Sequence, residues 1–329
     1  MTIAVLGGAG YIGSHTVKYL RAAGIPLAVY DNFSTGFRES LPDSPELPVV
    51  SGDIGDAERL AHFLRQHQIT AVLHLAALSV VAESFDNPRR YYHNNFVATQ
   101  TLLDTLLTCD IRQLVFSSTC AIYGKPRQLP LTEEHPCQPD SPYGCSKLAV
   151  EHLLADYARA YGLRYVSLRY FNASGADPDG ELGERHQPET HLIPLLLERV
   201  RQQQNGLNPP PFTIFGDDYP TPDGTCIRDY VHVWDLAQAH QLALDYVHAG
   251  GASNIFNLGQ GQGYSVREVI QMAEAVTGEP IPVAIAPRRS GDTPVLYGSG
   301  AKAAELLGWR PAYTDLHSIL TSAWRWHRQ

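Results

Sequence analysis

The sequence predicts an α/β fold: a doubly wound parallel sheet carrying a smaller C-terminal α/β lobe. Three observations predict it. Short apolar runs alternate with amphipathic stretches from the first residue, a glycine-rich turn follows the first run, and near Asn172 the pattern gives way to Pro-, Gly- and turn-rich sequence. Strands are predicted at Thr2–Gly7, Leu27–Asp31, Val49–Gly52, Ala71–Ala76, Gln113–Thr119 and Tyr165–Tyr170. Between them, helical periodicity covers Ile12–Ala23, Ala57–Gln66, Tyr91–Thr108 and Tyr143–Tyr161. Strands separated by helices pair in parallel through right-handed crossovers. Residues 173–230 hold one predicted helix, near Leu192–Gln203; two helix–strand pieces and a helical C-terminus follow. No linker separates the halves. The second lobe is therefore expected to grow from the C-terminal strand ends, where open α/β sheets bind ligands.

Composition excludes several classes. The chain has 329 residues, 44% hydrophobic and 18% charged, which is globular rather than disordered. Lys plus Arg is 25 and Asp plus Glu is 34, a net charge of −9 with no basic run, so no nucleic-acid partner is expected. No apolar run approaches membrane-spanning length, and the N-terminus lacks the charged region of a signal peptide. Five cysteines (Cys109, Cys120, Cys137, Cys145 and Cys226) form no C-x-x-C pair, which argues against a disulfide framework and for a cytoplasmic setting. The 14 histidines include no H-E-x-x-H and no three-His cluster, so no metal is expected.

Gly7, Gly10 and Gly13 fall in Gly7-Gly8-Ala9-Gly10-Tyr11-Ile12-Gly13, after a strand and at a helix start. Glycine lets backbone approach a pyrophosphate, which then sits on the helix N-terminus. A tight turn without ligand reads the same way taken alone. Asp31 separates the two readings: it ends the second strand, 18 residues past Gly13, where a carboxylate meets ribose hydroxyls and repels a 2′-phosphate. The cofactor expected is NAD, in a Rossmann-type domain; an Asx turn at Asp31-Asn32 is the alternative. Asp53, after the third strand, either contacts adenine or caps the next helix.

Tyr143 and Lys147 stand four residues apart, one turn on one helix face. An ammonium near a phenol favours the phenolate, a base able to take a proton from a hydroxyl. The alternative is a solvated helix face. Ser117-Ser118-Thr119 ends a strand upstream and offers a hydroxyl to the reacting oxygen.

With these motifs in order, the chain resembles the UDP-glucose 4-epimerase family of the extended short-chain dehydrogenase/reductases, essentially end to end. The most specific stretches are Tyr170–Ala176, Pro188–Pro194, Phe215–Val233 and Arg288–Asp292. The resemblance implies cofactor contacts from Gly7, Gly10, Tyr11, Ile12, Gly13, Asp31, Asn32, Asp53, Ile54, Leu75, Ala76, Ala77, Asn94 and Tyr170, together with Tyr143 and Lys147. It implies Tyr143, Lys147 and Thr119 as the catalytic trio. It implies substrate contacts from Thr119, Asn172, His191, Leu192, Thr213, Phe215, Arg228, Arg289 and Asp292, with Leu296 as a wall of the hexose pocket. Tyr297, one residue on, is the alternative wall. Arg suits a diphosphate through its paired donors, although a lone Arg is more often half of a surface ion pair.

The implied activity interconverts UDP-glucose and UDP-galactose through a 4-keto sugar, with UDP-GlcNAc and UDP-GalNAc as further candidates. Ser79 stands where some relatives carry a Lys that reaches NAD, and His191 where some carry Asn. A 4,6-dehydratase would need acidic residues after the strand-end Thr; Cys120 and Ala121 are there. Epimerisation of UDP-xylose or UDP-glucuronate, and a non-catalytic NAD-binding sensor, are the other readings. The expected division is residues 1–172 for NAD, with 229–259 returning to that domain, and 173–228 with 260–329 for the UDP-sugar. A homodimer through Tyr91–Thr108 and Tyr143–Tyr161 is expected by analogy.

Overall fold

Residues 1–289 and 291–329 are described in the computed structural model; Ser290, inside the Arg288–Asp292 stretch, lies outside the described residues. In chain order the strands are β1 (Ile3–Leu6), β2 (Leu27–Asp31), β3 (Val49–Ser51), β4 (Ala71–His74), β5 (Gln113–Thr119), β6 (Arg164–Tyr170), β7 (Asn172–Ser174), β8 (Phe212–Phe215), β9 (Ile227–Arg228), β10 (Tyr230–His232), β11 (Asn254–Leu258), β12 (Tyr264–Ser265), β13 (Val283–Ala286) and β14 (Val295–Leu296). The α-helices are α1 (Tyr11–Ala22), α2 (Ala57–Gln66), α3 (Val81–Asp86), α4 (Pro88–Tyr92), α5 (Ala98–Thr108), α6 (Pro142–Tyr161), α7 (Leu192–Gln204), α8 (Val233–His248), α9 (Val266–Thr277), α10 (Ala301–Leu306) and α11 (Leu316–His327).

Seven strands form one parallel sheet in the order β11-β6-β5-β4-β1-β2-β3. The chain reverses direction of winding between β1 and β4, which opens the ligand crevice of a doubly wound sheet. Strands β1 and β4 are buried along their whole length, which is why they read as continuous apolar runs rather than alternating ones. Their side chains still alternate by face. Ile3 and Val5 join the core with Val17 and Leu20 of α1 and Leu236 of α8, whereas Ala4 and Leu6 join Leu60 of α2, Leu103 of α5 and Leu154 of α6.

A separate core lies between α7, α9 and α11, from Leu196, Val200, Val269, Ile319 and Trp324 with Phe212 and Ile214 of β8. The strands of this lobe were not predicted individually. They run only two to four residues (β9 and β14 among the shortest, β8 and β13 the longest), too short to show a period. β13 pairs with β8, and β9 lies between β12 and β14. β11 pairs with β6, Asn254 opposite Val166. One segment of the expected second lobe docks on the large sheet. Ala303, Leu307 and Trp309 pack into the core of the large sheet, and the Trp309 indole donates to the Asp235 carbonyl of α8 at 3.0 Å.

The expected helix Tyr91–Thr108 is interrupted. α4 ends at Tyr92, a π-helical turn spans His93–Val97, and α5 follows. Asn95, inside that turn, is buried: its amide accepts from Leu78 N–H (2.9 Å) and donates to the Leu78 carbonyl (3.0 Å) and Ser146 Oγ (3.2 Å). These bonds tie the loop after β4 to α6, and π-turns of this kind gather at functional sites.

Behind the strand ends lies a buried ion pair that pattern reading missed. Arg169 of β6 donates from Nε and a terminal nitrogen to the two Glu151 oxygens of α6, at 3.0 and 2.5 Å, with both side chains almost fully buried. Ser118 of β5 donates to the same carboxylate (2.5 Å), and Arg169 also donates to the Tyr123 hydroxyl (2.9 Å). Removing one partner of such a pair strands a charge. Arg169→Met should lower unfolding free energy by about 3–5 kcal/mol, and adding Glu151→Leu should restore most of the loss. Urea titration of the single and double variants decides this, and a near-native single variant would contradict it.

Candidate active site

The glycine turn is built for close approach. Gly7 adopts a φ of +79°, and a Cβ there would meet the Ala76 nitrogen at 2.5 Å. A Cβ at Gly13 would lie 2.1 Å from the Gly7 carbonyl oxygen, so only glycine lets α1 start this close to β1. Gly10 caps α1 with no side chain on its first amides, which leaves those N–H groups for a ligand. The residues present therefore fit a dinucleotide pyrophosphate.

Asp31 does two things at once. Its buried carboxylate accepts the Ala9 N–H of the glycine turn (2.8 Å) and the Phe33 N–H (2.8 Å), so the Asx turn is real and also fastens β2 to the turn. Burial raises its pKa, against those two donors. Each oxygen keeps a second lone pair for a ribose hydroxyl. Exposed Asn32 donates to Asp53 (2.8 Å). Asp53 does not cap α2; that is Asp56, which accepts the Arg59 N–H, while Asp53 accepts from Gly55. Ile54 is buried in the core, Leu75, Ala76 and Ala77 lie half-buried after β4, and Asn94 donates to Asn95 (3.0 Å). Ser79 is exposed. Tyr11 donates to the Gly175 carbonyl at 2.7 Å, and Ile12 packs on the core.

Thr119 and Tyr170 end β5 and β6 opposite one another. Thr119 accepts the Ala121 N–H at 3.1 Å, which leaves its own proton free to donate. α6 starts immediately over these ends, with Ser141 as its cap and Pro142 in its first turn. Tyr143 is thus at the positive end of a helix dipole. Lys147, one turn on, donates to the Ser117 carbonyl (2.8 Å) and lies over the Phe116 ring. The Tyr170 hydroxyl pairs with Ser117 Oγ, from the Ser117-Ser118-Thr119 strand end that the sequence singles out.

The expected depressed phenol is not found in this state. Burial pushes Tyr143 well above the ordinary phenol range, repulsion from the ionisable Tyr170 hydroxyl adds to this, and the Thr119 hydroxyl opposes it. Lys147 is directed at Ser117, and burial pulls its pKa down to about 7, with Glu151 acting to raise it. Tyr143 and Lys147 are 8% and 3% exposed, which excludes the solvated helix face.

The second group of residues also converges. Arg228 donates to the Thr293 carbonyl (2.6 Å) and stands 3.7 Å from Asp292; Arg289 donates to Asp292 (3.0 Å) and lies over the Phe215 ring. Both arginines are therefore ion-paired, as a lone Arg usually is, yet Arg289 stays 60% exposed with donors to spare. Leu296 is in register with Arg228, half-buried against the core, and so is partly a packing residue. The backbone of Tyr297 pairs with Leu131 instead. Thr213 and Phe215 lie on β8, and His191 and Leu192 open α7. Asn172 starts β7, its N–H bonded to the Asp229 carbonyl (3.0 Å). Cys120 lies in the fields of Arg228 and Asp229, which brings this group to the Thr119 strand end.

The NAD dependent epimerase/dehydratase family matches residues 3–259. The chain belongs to that family. A UDP-glucose 4-epimerase of Halalkalibacterium halodurans is 49% identical, over 100% of this chain and 96% of its own. The crystal structure of the Brucella ovis UDP-glucose 4-epimerase in complex with NAD is 48% identical, with a TM-score of 0.94, covering 99% of this chain and 98% of that one. The Bifidobacterium longum enzyme, in complex with NAD⁺ and UDP, is 36% identical with a TM-score of 0.91, again over 99% and 98%.

Lys147 carries a pH signature. Its folded pKa is about 7, against roughly 10.4 unfolded. Between those values the unfolded chain binds the extra proton, so stability contributed at this site rises with pH. In nucleotide-free protein, the unfolding free energy of wild type relative to Lys147→Met should climb from pH 7 to about 9.5, by up to about 1 kcal/mol per pH unit. A flat difference would contradict the buried-ammonium reading.

Proposed function

We propose that this family member is an NAD-dependent 4-epimerase that interconverts UDP-glucose and UDP-galactose through a 4-keto intermediate. The observation that carries the reading is the meeting of Thr119, Tyr143 and Lys147 over the ends of β5 and β6, in the crevice whose other side holds the glycine turn and Asp31. When bound, NAD⁺ would supply a hydride acceptor for C4 and, in its reduced form, a hydride donor for the 4-keto sugar. Gly7, Gly10, Tyr11, Ile12 and Gly13 would hold its pyrophosphate, Asp31 and Asn32 a ribose, and Asp53 and Ile54 the adenine. Leu75, Ala76, Ala77, Asn94 and Tyr170 would line the remainder. Asp31 disfavours NADP by repulsion of a 2′-phosphate.

Tyr143 is the proposed base for the 4-hydroxyl proton and Thr119 the donor that orients the 4-oxygen. A neutral buried phenol takes up that role only when cationic charge reaches it; the helix dipole supports this, and Lys147 carries a cation on the same helix face. Arg228, Arg289 and Asp292, with Asn172, His191, Leu192, Thr213 and Phe215, would grip UDP. Binding energy placed on UDP leaves the keto sugar free to turn over. Cys120 and Ala121 offer no acid for a departing hydroxyl, which disfavours dehydration, and the assembled catalytic trio disfavours a sensor.

The division proposed is 1–172 with 229–259 against 173–228 with 260–329, amended by the docking of 301–309 on the large sheet. Exposed Tyr92 and Val97 near the start of Tyr91–Thr108, and Tyr161 at the end of Tyr143–Tyr161, support a homodimer through those two helices. Five free cysteines support a cytoplasmic setting, and among the described residues no helix is long and apolar enough to cross a membrane.

Incubation with UDP-galactose and no added reductant should yield UDP-glucose. Tyr143→Phe should lower turnover by roughly 10²-fold or more while UDP binding persists; near-normal turnover would sink the assignment. A second reading extends the substrate range. Leu at position 296 leaves more room than Tyr, so the wild type should also interconvert UDP-GlcNAc and UDP-GalNAc. Leu296→Tyr should abolish that reaction and spare the glucose–galactose pair. The check is kcat/KM for both pairs; parallel loss of both would mean a packing role, and no N-acetyl reaction in wild type would refute the open wall.

A further inference from the structure

Four side chains converge on the loop that leads into α7, as E-x-H-x-x-E-x-H: Glu184, His186, Glu189 and His191. One candidate ligand atom from each lies within 4.8 Å of all the others. His191 Nδ1 is 3.0 Å from Glu184 Oε1 and 2.8 Å from Glu189 Oε1. His186 Nδ1 is 3.5 Å from the same Glu184 oxygen and 3.4 Å from Glu189 Oε2. Those last two separations are too long for good hydrogen bonds, and His186 Nδ1 is buried with no hydrogen-bond partner. Around tetrahedral zinc, with bonds of about 2.0–2.1 Å, neighbouring ligand atoms stand about 3.3 Å apart. The separations of Glu184 Oε1 from the two imidazole nitrogens, 3.5 and 3.0 Å, bracket that value, and Glu189 reaches the two rings with different oxygens.

The charge balance points the same way. Glu184 is 6% exposed at its side chain, and among the described residues the ion pairs of both carboxylates are with histidine alone. Arg185, between Glu184 and His186 in sequence, stacks on Phe37 at 3.8 Å instead. Two carboxylates and two neutral imidazoles balance a divalent ion, whereas a hydrogen-bonded cluster leaves the His186 nitrogen unmatched. His186 and His191 remain partly exposed, which leaves a path for entry.

We propose that Glu184, His186, Glu189 and His191 form a structural site for a divalent transition-metal ion, zinc being the best match to two imidazoles and two carboxylates. This reverses the sequence expectation of no metal, which rested on the absence of familiar motifs. Ligation by Nδ1 leaves His191 Nε2 free toward substrate; that corollary alone rests on the UDP-sugar reading. The ion would clamp the loop to the first turn of α7 and, through the His186 ring packed edge-on against Tyr11, to the glycine turn.

The test is zinc content and affinity of the tag-free full chain, by equilibrium dialysis against zinc chloride with a competing chromophoric chelator. Stoichiometric zinc is expected, with a zinc-dependent rise in Tm. Glu184→Gln and His186→Ala should each lose about tenfold or more in affinity and lose that rise. Glu184→Gln is nearly isosteric and decides the matter if His186→Ala does not fold. Wild type without saturable zinc, or affinity undiminished in the folded variant, overturns the site, and neither result bears on epimerisation.

Discussion

The position of α6 over the ends of β5 and β6 governs the chemistry, and the buried Glu151–Arg169 pair holds it there. The carboxylate receives donors from both strands, Ser118 of β5 and Arg169 of β6. Tyr143 and Lys147 lie two turns and one turn before Glu151 on the same helix. Rotation of α6 that moved the phenol would also break these bonds. The network extends further, since Arg169 also reaches Tyr123, whose hydroxyl donates to Asn257 of β11 (2.7 Å). The edge strand is thereby coupled to the catalytic one through buried, paired groups, and leaving any one of them unpaired is costly.

Much of the dinucleotide half was legible in the sequence because parallel strands buried on both faces leave continuous apolar runs. The predicted bounds of β2 and β5 agree with the structure, and those of α6 differ by one residue. The break at His93–Val97 was illegible. Its cause is one amide, Asn95, bonding to Leu78 of the loop after β4 and to Ser146 of α6, while the apolar pattern runs on unbroken. In the second lobe the helix near Leu192–Gln203 and the helical C-terminus were legible, but the strands were not, because they are shorter than the period that would reveal them.

Site residues divide along a similar line. Gly7, Asp31, Tyr143 and Lys147 carry spacings that physical reasoning can interpret. Arg228, Arg289 and Asp292 do not: the first is separated from the other two by more than fifty residues of sequence, and only the pairing of β9 with β14 brings them together. The sequence singles out Ser117 only as part of the strand end, and Glu151, which it does not single out, was open to notice. Ser117 precedes the strand-end Thr by one turn of the pleat, and Glu151 continues the Tyr143–Lys147 stripe by another four residues. Their roles rest on a carbonyl and on a strand two positions away, neither of which a local pattern encodes.

The electrostatics of the pocket follow from its dryness. Burial raises the phenol of Tyr143 and lowers the ammonium of Lys147, so each is held toward its neutral form. Both shifts have the same cause, and both diminish when an opposite charge enters, because a phenolate and an ammonium stabilise each other most strongly where water is excluded. A site arranged this way resists forming the base before the pocket is filled. In the role proposed for Tyr143, proton removal is then tied to ligand entry, and Lys147, anchored meanwhile on the Ser117 carbonyl, already lies on the helix face from which the phenolate would be supported.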